Sequence, residues 1–230
     1  MDYKTLTGRE SSHLVSLDDK RLIHPDALRA LNQLKELALK DIGAKIEVIS
    51  SYRNFQDQLN IWNLKASGER DLFDLNENKL DYQDLSKEEL LKAILLWSAI
   101  PGGSRHHWGT DIDIFDASKI QMKDVKLLNS ECSSDGVCGD LHLWLDQKIK
   151  DNNSLGFFRP YDTDRNYTGV GQEKWHLSFN PISNEYLEKY TYEVFLKNIQ
   201  DSTIILKEEI LSNSNLIYEN YILNIDPSPL

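Results

Sequence analysis

With 230 residues, 40% of them hydrophobic, the chain is long enough for one substantial core, and a formal net charge of −11 makes nucleic acid and anionic membrane surfaces poor partners. No stretch approaches the ~18 uninterrupted apolar residues of a membrane-spanning helix, so no membrane insertion is expected. The opening residues MDYKTLTGRESSHLVSL lack the apolar run of an export signal, and Cys132 and Cys138 are too few for a disulfide scaffold. The expectation is a cytoplasmic protein with free thiols, or a periplasmic one if a leader has been removed, although the two cysteines could pair around the short SSDGV loop.

Ala27, Leu28, Leu31, Leu34, Leu37 and Ala38 recur at helical spacing and predict a helix from Pro25 to a cap at Gly43. KIEVISS (45–51) is short and β-branched and reads as a strand, followed by a helix that carries Phe55, Leu59 and Trp62 on one stripe. The polar stretch from Glu69 to Tyr82 reads as a surface loop. Ser86 with Glu89 forms a capping box ahead of LLKAILLWSAI, a helix closed by Pro101 and Gly102. DIDIF (111–115) and WHLSF (175–179) alternate polar and apolar residues and read as strands with one face toward a site, with LHLWLDQKIK helical between them. After Pro181 the chain is helical in tone. This order predicts an α+β fold, a small antiparallel sheet flanked by helices, in one domain over 1–230 with a helical C-terminal extension from about 183. Trp62, Trp97 and Trp144 are expected in the core, Asp116 as a solvated strand-edge carboxylate, and His13, His24 and His142 as ordinary structural histidines.

The chemistry concentrates in SRHHWGTDID (104–113). On a strand, Asp111 and Asp113 share a face, and the turn at Trp108, Gly109 and Thr110 allows His106 and Asp113 to converge on one ion. A catalytic zinc needs three protein ligands and an open position, and His176 in EKWH is the best third ligand. Glu173, three residues earlier, is placed to act as a base that is not a ligand, and Arg53 supplies a fixed positive charge for an oxyanion or a substrate carboxylate.

Together, SSYRNFQDQ, SRHHWGTDID and EKWH resemble the pattern S-x-Y-R followed by a glutamine, S-x-H-x-x-G-x-x-x-D and E-x-W-H of the VanY and VanX type zinc D-alanyl-D-alanine carboxypeptidases and dipeptidases. The resemblance spans roughly Thr7 to Asn180. It implies the hedgehog and D,D-peptidase type of fold and zinc bound by His106, Asp113 and His176. It also implies a water on that zinc activated by Glu173, an oxyanion held by Arg53, and Ser104 and Gln58 near the substrate. The implied substrate is a peptidoglycan-derived peptide that loses its C-terminal D-alanine, by a D,D- or an L,D-cleavage. A wall endopeptidase, or a zinc-stabilised binding module that has lost hydrolysis, are the competing readings; the presence of both Glu173 and Arg53 favours the enzyme. His107 falls on a variable position. Asp111 stands where the family often has a small residue, and its role is left open, between altering the charge and pKa values of the site and selecting a cationic substrate group.

Overall fold

Strand β1 (Ile46–Ser50) pairs with β2 (Asp111–Asp116), β2 with β4 (His176–Phe179), and β4 with β3 (Phe157–Phe158), all antiparallel. The computed structural model describes residues 1–228. One face of this sheet carries Ile46, Val48, Ile112, Ile114, Leu177 and Phe179, all buried. Two helices cover that face. Helix α1 (Pro25–Ile42) contributes Ala27, Leu31, Leu34 and Ala38, and α4 (Gly139–Lys150) contributes Leu141 and Leu145. Helix α1 begins and ends as its sequence predicts: His24 caps it through Nδ1, which accepts from the Asp26 amide at 3.2 Å, and Gly43 closes it with φ 71°.

A second core lies among the remaining helices: α2 (Phe55–Ala66), α3 (Lys87–Trp97), and α5 (Asn180–Lys189), α6 (Tyr192–Gln200) and α7 (Lys207–Ser212) of the C-terminal segment. Leu59, Trp62, Leu91, Ile94, Phe195, Ile199 and Ile210 meet there. The α3 capping box forms as predicted, with the Ser86 amide donating to Glu89 Oε2 at 2.9 Å. Between the second core and the polar face of the sheet lies a cavity of about 690 Å3, within the usual range for a small-ligand site. Its walls come from β2 and β4, from α2, and from Trp97 and Ser98 where α3 ends.

A bulge connects the sheet to that cavity. Val48 opposes Ile114, yet Ser50 rather than Ile49 opposes Asp113, so one extra residue turns the end of β1. Ser50 thereby joins the polar face, and Arg53 follows it toward the cavity.

Several expectations need correction. Trp62 is fully buried, but Trp97 is only partly buried, lines the cavity and donates from Nε1 to Phe73 O at 3.2 Å. Trp144 is also only partly buried, its indole nitrogen bonded to Asp41 Oδ2 at 3.1 Å. Apolar periodicity places an indole on a face without saying whether a polar tip needs a partner near solvent. Asp116 is not a solvated edge: it is buried, and its Oδ1 accepts from the Lys45 and Ser118 amides, each at 2.9 Å. The stretch from Glu69 to Tyr82 includes a small hairpin pairing Leu72–Phe73 with Lys79–Leu80. Helix α3 ends at Trp97, before Pro101. Cys132 and Cys138 are both free and buried. Among the described residues no helix is long and apolar enough to cross a membrane.

Candidate metal centre

The two adjacent histidines occupy a single turn, Arg105–Trp108, closed by Gly109 at φ 69°, and point to different places. His106 faces the sheet. Its Nδ1 donates to Ser51 O at 2.8 Å, which fixes the tautomer and leaves the Nε2 lone pair free, 3.4 Å from Asp113 Oδ2. His107 faces the other way: its Nε2 accepts from the Gly102 amide at 2.9 Å and its Nδ1 donates to Arg53 O at 2.6 Å. It is packed so closely against Gly8 (φ 72°) that a Cβ there would lie 2.4 Å from the ring. His107 is a structural brace for Arg53, whose own amide donates to His106 O at 3.1 Å.

Pairing β2 with β4 puts Asp113 opposite His176 and Asp111 opposite Ser178. His176 Nδ1 lies 3.4 Å from Asp113 Oδ1 and 3.2 Å from Glu173 Oε2, while its Nε2 lies 3.0 Å from Asp111 Oδ1. The turn that brings Glu173 back is closed by the His176 amide donating to Glu173 O at 3.2 Å. One ligand atom each from His106, Asp113 and His176 fits within a 4.8 Å span, all three side chains buried. Asp113 Oδ1 is buried with no hydrogen-bond partner, which is costly for a carboxylate oxygen unless a cation answers it. Two imidazole nitrogens and a carboxylate oxygen are ligand types that zinc accepts, and their grouping within 4.8 Å is close enough for side-chain adjustment to bring them onto one ion.

Asp111, left open by the sequence, is not an added charge in the site. Its Oδ1 takes the Arg105 Nε–H at 2.9 Å and the His176 Nε2–H, and its Oδ2 takes the hydroxyls of Thr110 at 2.6 Å and Ser178 at 3.1 Å. Arg105 further donates from Nη2 to Ser178 Oγ at 2.6 Å. Burial disfavours the Asp111 charge, but Arg105 and His176 outweigh it and hold the carboxyl well below its usual range. Asp111 thus orients His176 so that Nδ1 faces the donor cluster. Arg105, Thr110 and Ser178 were absent from the sequence-based site; the signal for Arg105 was a buried-strand aspartate in need of a counter-charge.

The electrostatics agree with a site built for a cation. Burial pushes Asp113 up to about 6, with Glu173 adding to the rise. Burial works against a charged His176, yet the bonds to Asp111 and Glu173 prevail and hold it up at about 10, so without metal a proton occupies the ring among three carboxylates. Burial and the Arg53 charge keep His106 neutral, well below its usual range. Across the cavity, Arg53 donates from Nη1 to Gln58 Oε1 at 2.8 Å and from Nη2 to Ser50 Oγ at 2.9 Å, and Gln58 Nε2 donates to Ala99 O at 2.7 Å. Ser104 is buried and lines the same cavity. Arg53, Gln58, Ser104, His106, Asp113, Glu173 and His176 therefore border one space, with Gln58 acting on Arg53, while His107 and Asp111 lie outside its lining.

Comparison with known proteins gives the same picture. Two proteins of Haemophilus influenzae, each described only as uncharacterized, are similar to the chain: one is 35% identical over 99 residues, spanning 41% of this chain and 67% of that protein, the other 26% identical over 125 residues, spanning 54% and 93%. Among solved structures, a vancomycin-resistance D,D-pentapeptidase VanY variant in complex with Zn(II) matches with a TM-score of 0.53 at 22% identity, covering 77% of this chain and 90% of that one. VanYB in complex with D-alanine-D-alanine matches with a TM-score of 0.53 at 21% identity, covering 82% and 90%. These two share the fold. Residues 20–182, more than half of the chain, match the family model of VanY D-alanyl-D-alanine carboxypeptidase. The α+β fold, the His–Asp–His group and this match agree, and the chain belongs to the VanY D-alanyl-D-alanine carboxypeptidase family of metallopeptidases.

Proposed function

We propose that the protein removes a C-terminal D-alanine from peptidoglycan stem peptides, with His106, Asp113 and His176 holding zinc, Glu173 as general base and acid, and Arg53 as the oxyanion partner. The observation that carries this reading is the orphaned Asp113 oxygen beside two imidazole nitrogens whose other nitrogens are already engaged. Zinc bound there supplies Lewis acidity, polarising the scissile carbonyl and acidifying water. Glu173 reaches the same point, 3.2 Å from His176 Nδ1, without belonging to the ligand set, so its carboxylate is free to take a proton from water and return it to the leaving amine. Arg53, fastened by Gln58, Ser50 and the backbone bond to His107, presents a pre-oriented positive charge and needs no reorganisation as negative charge develops on the carbonyl oxygen. Ser104 borders the substrate space.

The test is release of free D-alanine from muramyl tetrapeptide and pentapeptide by the zinc-loaded protein and by Glu173→Ala. The variant is expected to keep its zinc and lose about 100-fold or more in turnover. Release from the pentapeptide alone assigns a D,D-enzyme, and release from the tetrapeptide an L,D-enzyme. Near-normal turnover by Glu173→Ala removes that residue from the mechanism, and no release from either peptide by wild type sinks the carboxypeptidase assignment.

A further inference from the structure

Beyond Arg53 the cavity continues along α2. Gln58, which fixes Arg53, is followed two helical turns later on the same face by Lys65, whose Nζ donates to Ser98 Oγ at 2.7 Å. Ser98 precedes Ala99, the residue that receives the Gln58 amide, so Arg53, Gln58, Ala99, Ser98 and Lys65 form one continuous wall. Lys65 is only 9% exposed.

Among the described residues Lys65, Arg105 and Arg159 are buried, and the side chain of Arg165 is nearly so and paired with Asp226. Arg105 is paired with Asp111 and Arg159 with Asp146. Lys65 has no carboxylate partner, although acidic residues outnumber basic ones by 37 to 26 in the chain. An ammonium group has three donors, and Lys65, which lines the cavity, commits one of them to Ser98. Arg70, an exposed residue, borders the same space and has no ion pair among the described residues. Burial and the Arg70 charge push the Lys65 pKa down to about 8, outweighing the pull of the Glu173 carboxylate, which lines the same cavity but makes no ion pair with it. A buried charge left unpaired is costly, and this one is retained on the wall of the substrate cavity.

We propose that Lys65, with the Ser98 hydroxyl and the Arg70 guanidinium, is a receptor for a carboxylate of the peptide substrate, a recognition point separate from the metal group and from Arg53. The proposal rests on the peptidase reading of the cavity. Two carboxylates have the required chemistry: the free C-terminus and an acidic side chain of a neighbouring peptide residue. Both are recognised by the same charge-assisted hydrogen bonds.

The experiment compares zinc-loaded wild type, Lys65→Met and Lys65→Arg on three synthetic D-alanine-terminated peptides: one with both carboxylates free, one amidated at the C-terminus, and one amidated at the acidic side chain. On the doubly free peptide, Lys65→Met is expected to raise KM about tenfold or more, the scale of a lost hydrogen bond to a charged group, and Lys65→Arg to recover part of that loss. The amidated peptide on which Lys65→Met no longer differs from wild type identifies the carboxylate that docks. An equal loss on all three peptides, or no loss on any, overturns the proposal. If wild type cleaves none of them, the carboxypeptidase assignment fails instead, and the receptor is then judged by calorimetric binding of the same peptides. Affinity for the doubly free peptide unaffected by Lys65→Met overturns it, and weakening confined to peptides that keep one particular carboxylate supports it. Thermal midpoints of the variants report folding separately; loss of an unpaired buried charge is expected to leave the midpoint unchanged or raised.

Discussion

The two faces of the four-stranded sheet share one backbone and one degree of burial and differ in what holds them together. On the face toward α1 and α4, Ile112, Ile114 and Leu177 pack among aliphatic side chains, and their contribution is area removed from water. On the opposite face, displaced by single residues along the same strands, Asp111, Asp113, His176 and Ser178 are just as buried, and their stability depends on each polar atom finding a partner. Nearly all do. The exceptions are Asp113 Oδ1 at the centre, which the His106 Nε2 lone pair faces, and Arg105 Nη1 behind it. A site can thus be recognised as the place where a closely satisfied polar network stops being satisfied, and the apolar face supplies the rigidity that keeps it so.

The sharpest break of that contrast is His176→Ala, which removes a donor and is expected to abolish stoichiometric zinc binding, read by metal analysis after dialysis; full occupancy in this variant would mean a wrong third ligand. Next in size is Asp111→Asn. This change keeps the shape but strands Arg105 and weakens the hold on His176, so zinc affinity should fall about 10- to 100-fold, with a stability loss of about 3–5 kcal/mol in denaturant titration. On the other face, Leu177→Ala should cost about 2–5 kcal/mol of stability while zinc affinity of the folded protein stays at the wild-type value, although Leu177 directly follows the proposed ligand His176. A large drop in affinity there would show that the two faces are not energetically separate.

The smallest effect is in pH. His107 and His142 are each pushed down to about 3 by burial, so the native rings stay neutral while the unfolded chain takes up protons below about pH 6.5. The stability that goes with these neutral rings is complete above that pH and falls by about 1.4 kcal/mol per ring per pH unit on acidification. In metal-free protein His106, also held neutral, adds to this loss, while Asp113, pushed up to about 6, and His176, held up at about 10, have the opposite sign and offset part of it. Urea midpoints of the metal-free protein at pH 7 and 5 should therefore decline modestly toward acid, and His142→Phe should flatten the slope. A slope unchanged by that substitution would remove His142 from the account.

The alternation in DIDIF and WHLSF was legible because a strand sorts its residues by parity, and that sorting placed Asp113 and His176 on one face before any register was known. The helix starting at Pro25 was legible because its caps are local. Two things were not. The register of β2 on β4 brings Asp111 to His176, and only the folded pairing shows that the aspartate is consumed by Arg105, not offered to a ligand. Lys65 sits on a stripe with Gln58, but that its counter-charge is missing is a property of every element around it, which no local pattern encodes. The tryptophans mislead for the same reason: Trp62 and Trp97 look alike on helical wheels, and only the neighbouring hairpin makes one of them a cavity wall.

Asn198 on α6 donates from Nδ2 to Pro101 O at 2.6 Å and accepts at Oδ1 from Arg9 Nη1 at 2.8 Å. Its side chain lies so close to Gly102 that a Cβ there would sit 2.1 Å from Oδ1, and a Cβ on Gly103 would lie 2.8 Å from Ile222. The loop that delivers His106 is thus pinned by Arg9, Asn198 and Ile222, all of them outside the stretch 20–182 that matches the family. Opening of α6 and loosening of the loop that carries His106 are thereby coupled. The amides around Gly102 and His106 should then exchange with solvent at the rate of α6, and a chain cut before Tyr192 would keep all three metal donors while losing the latch that holds them in register.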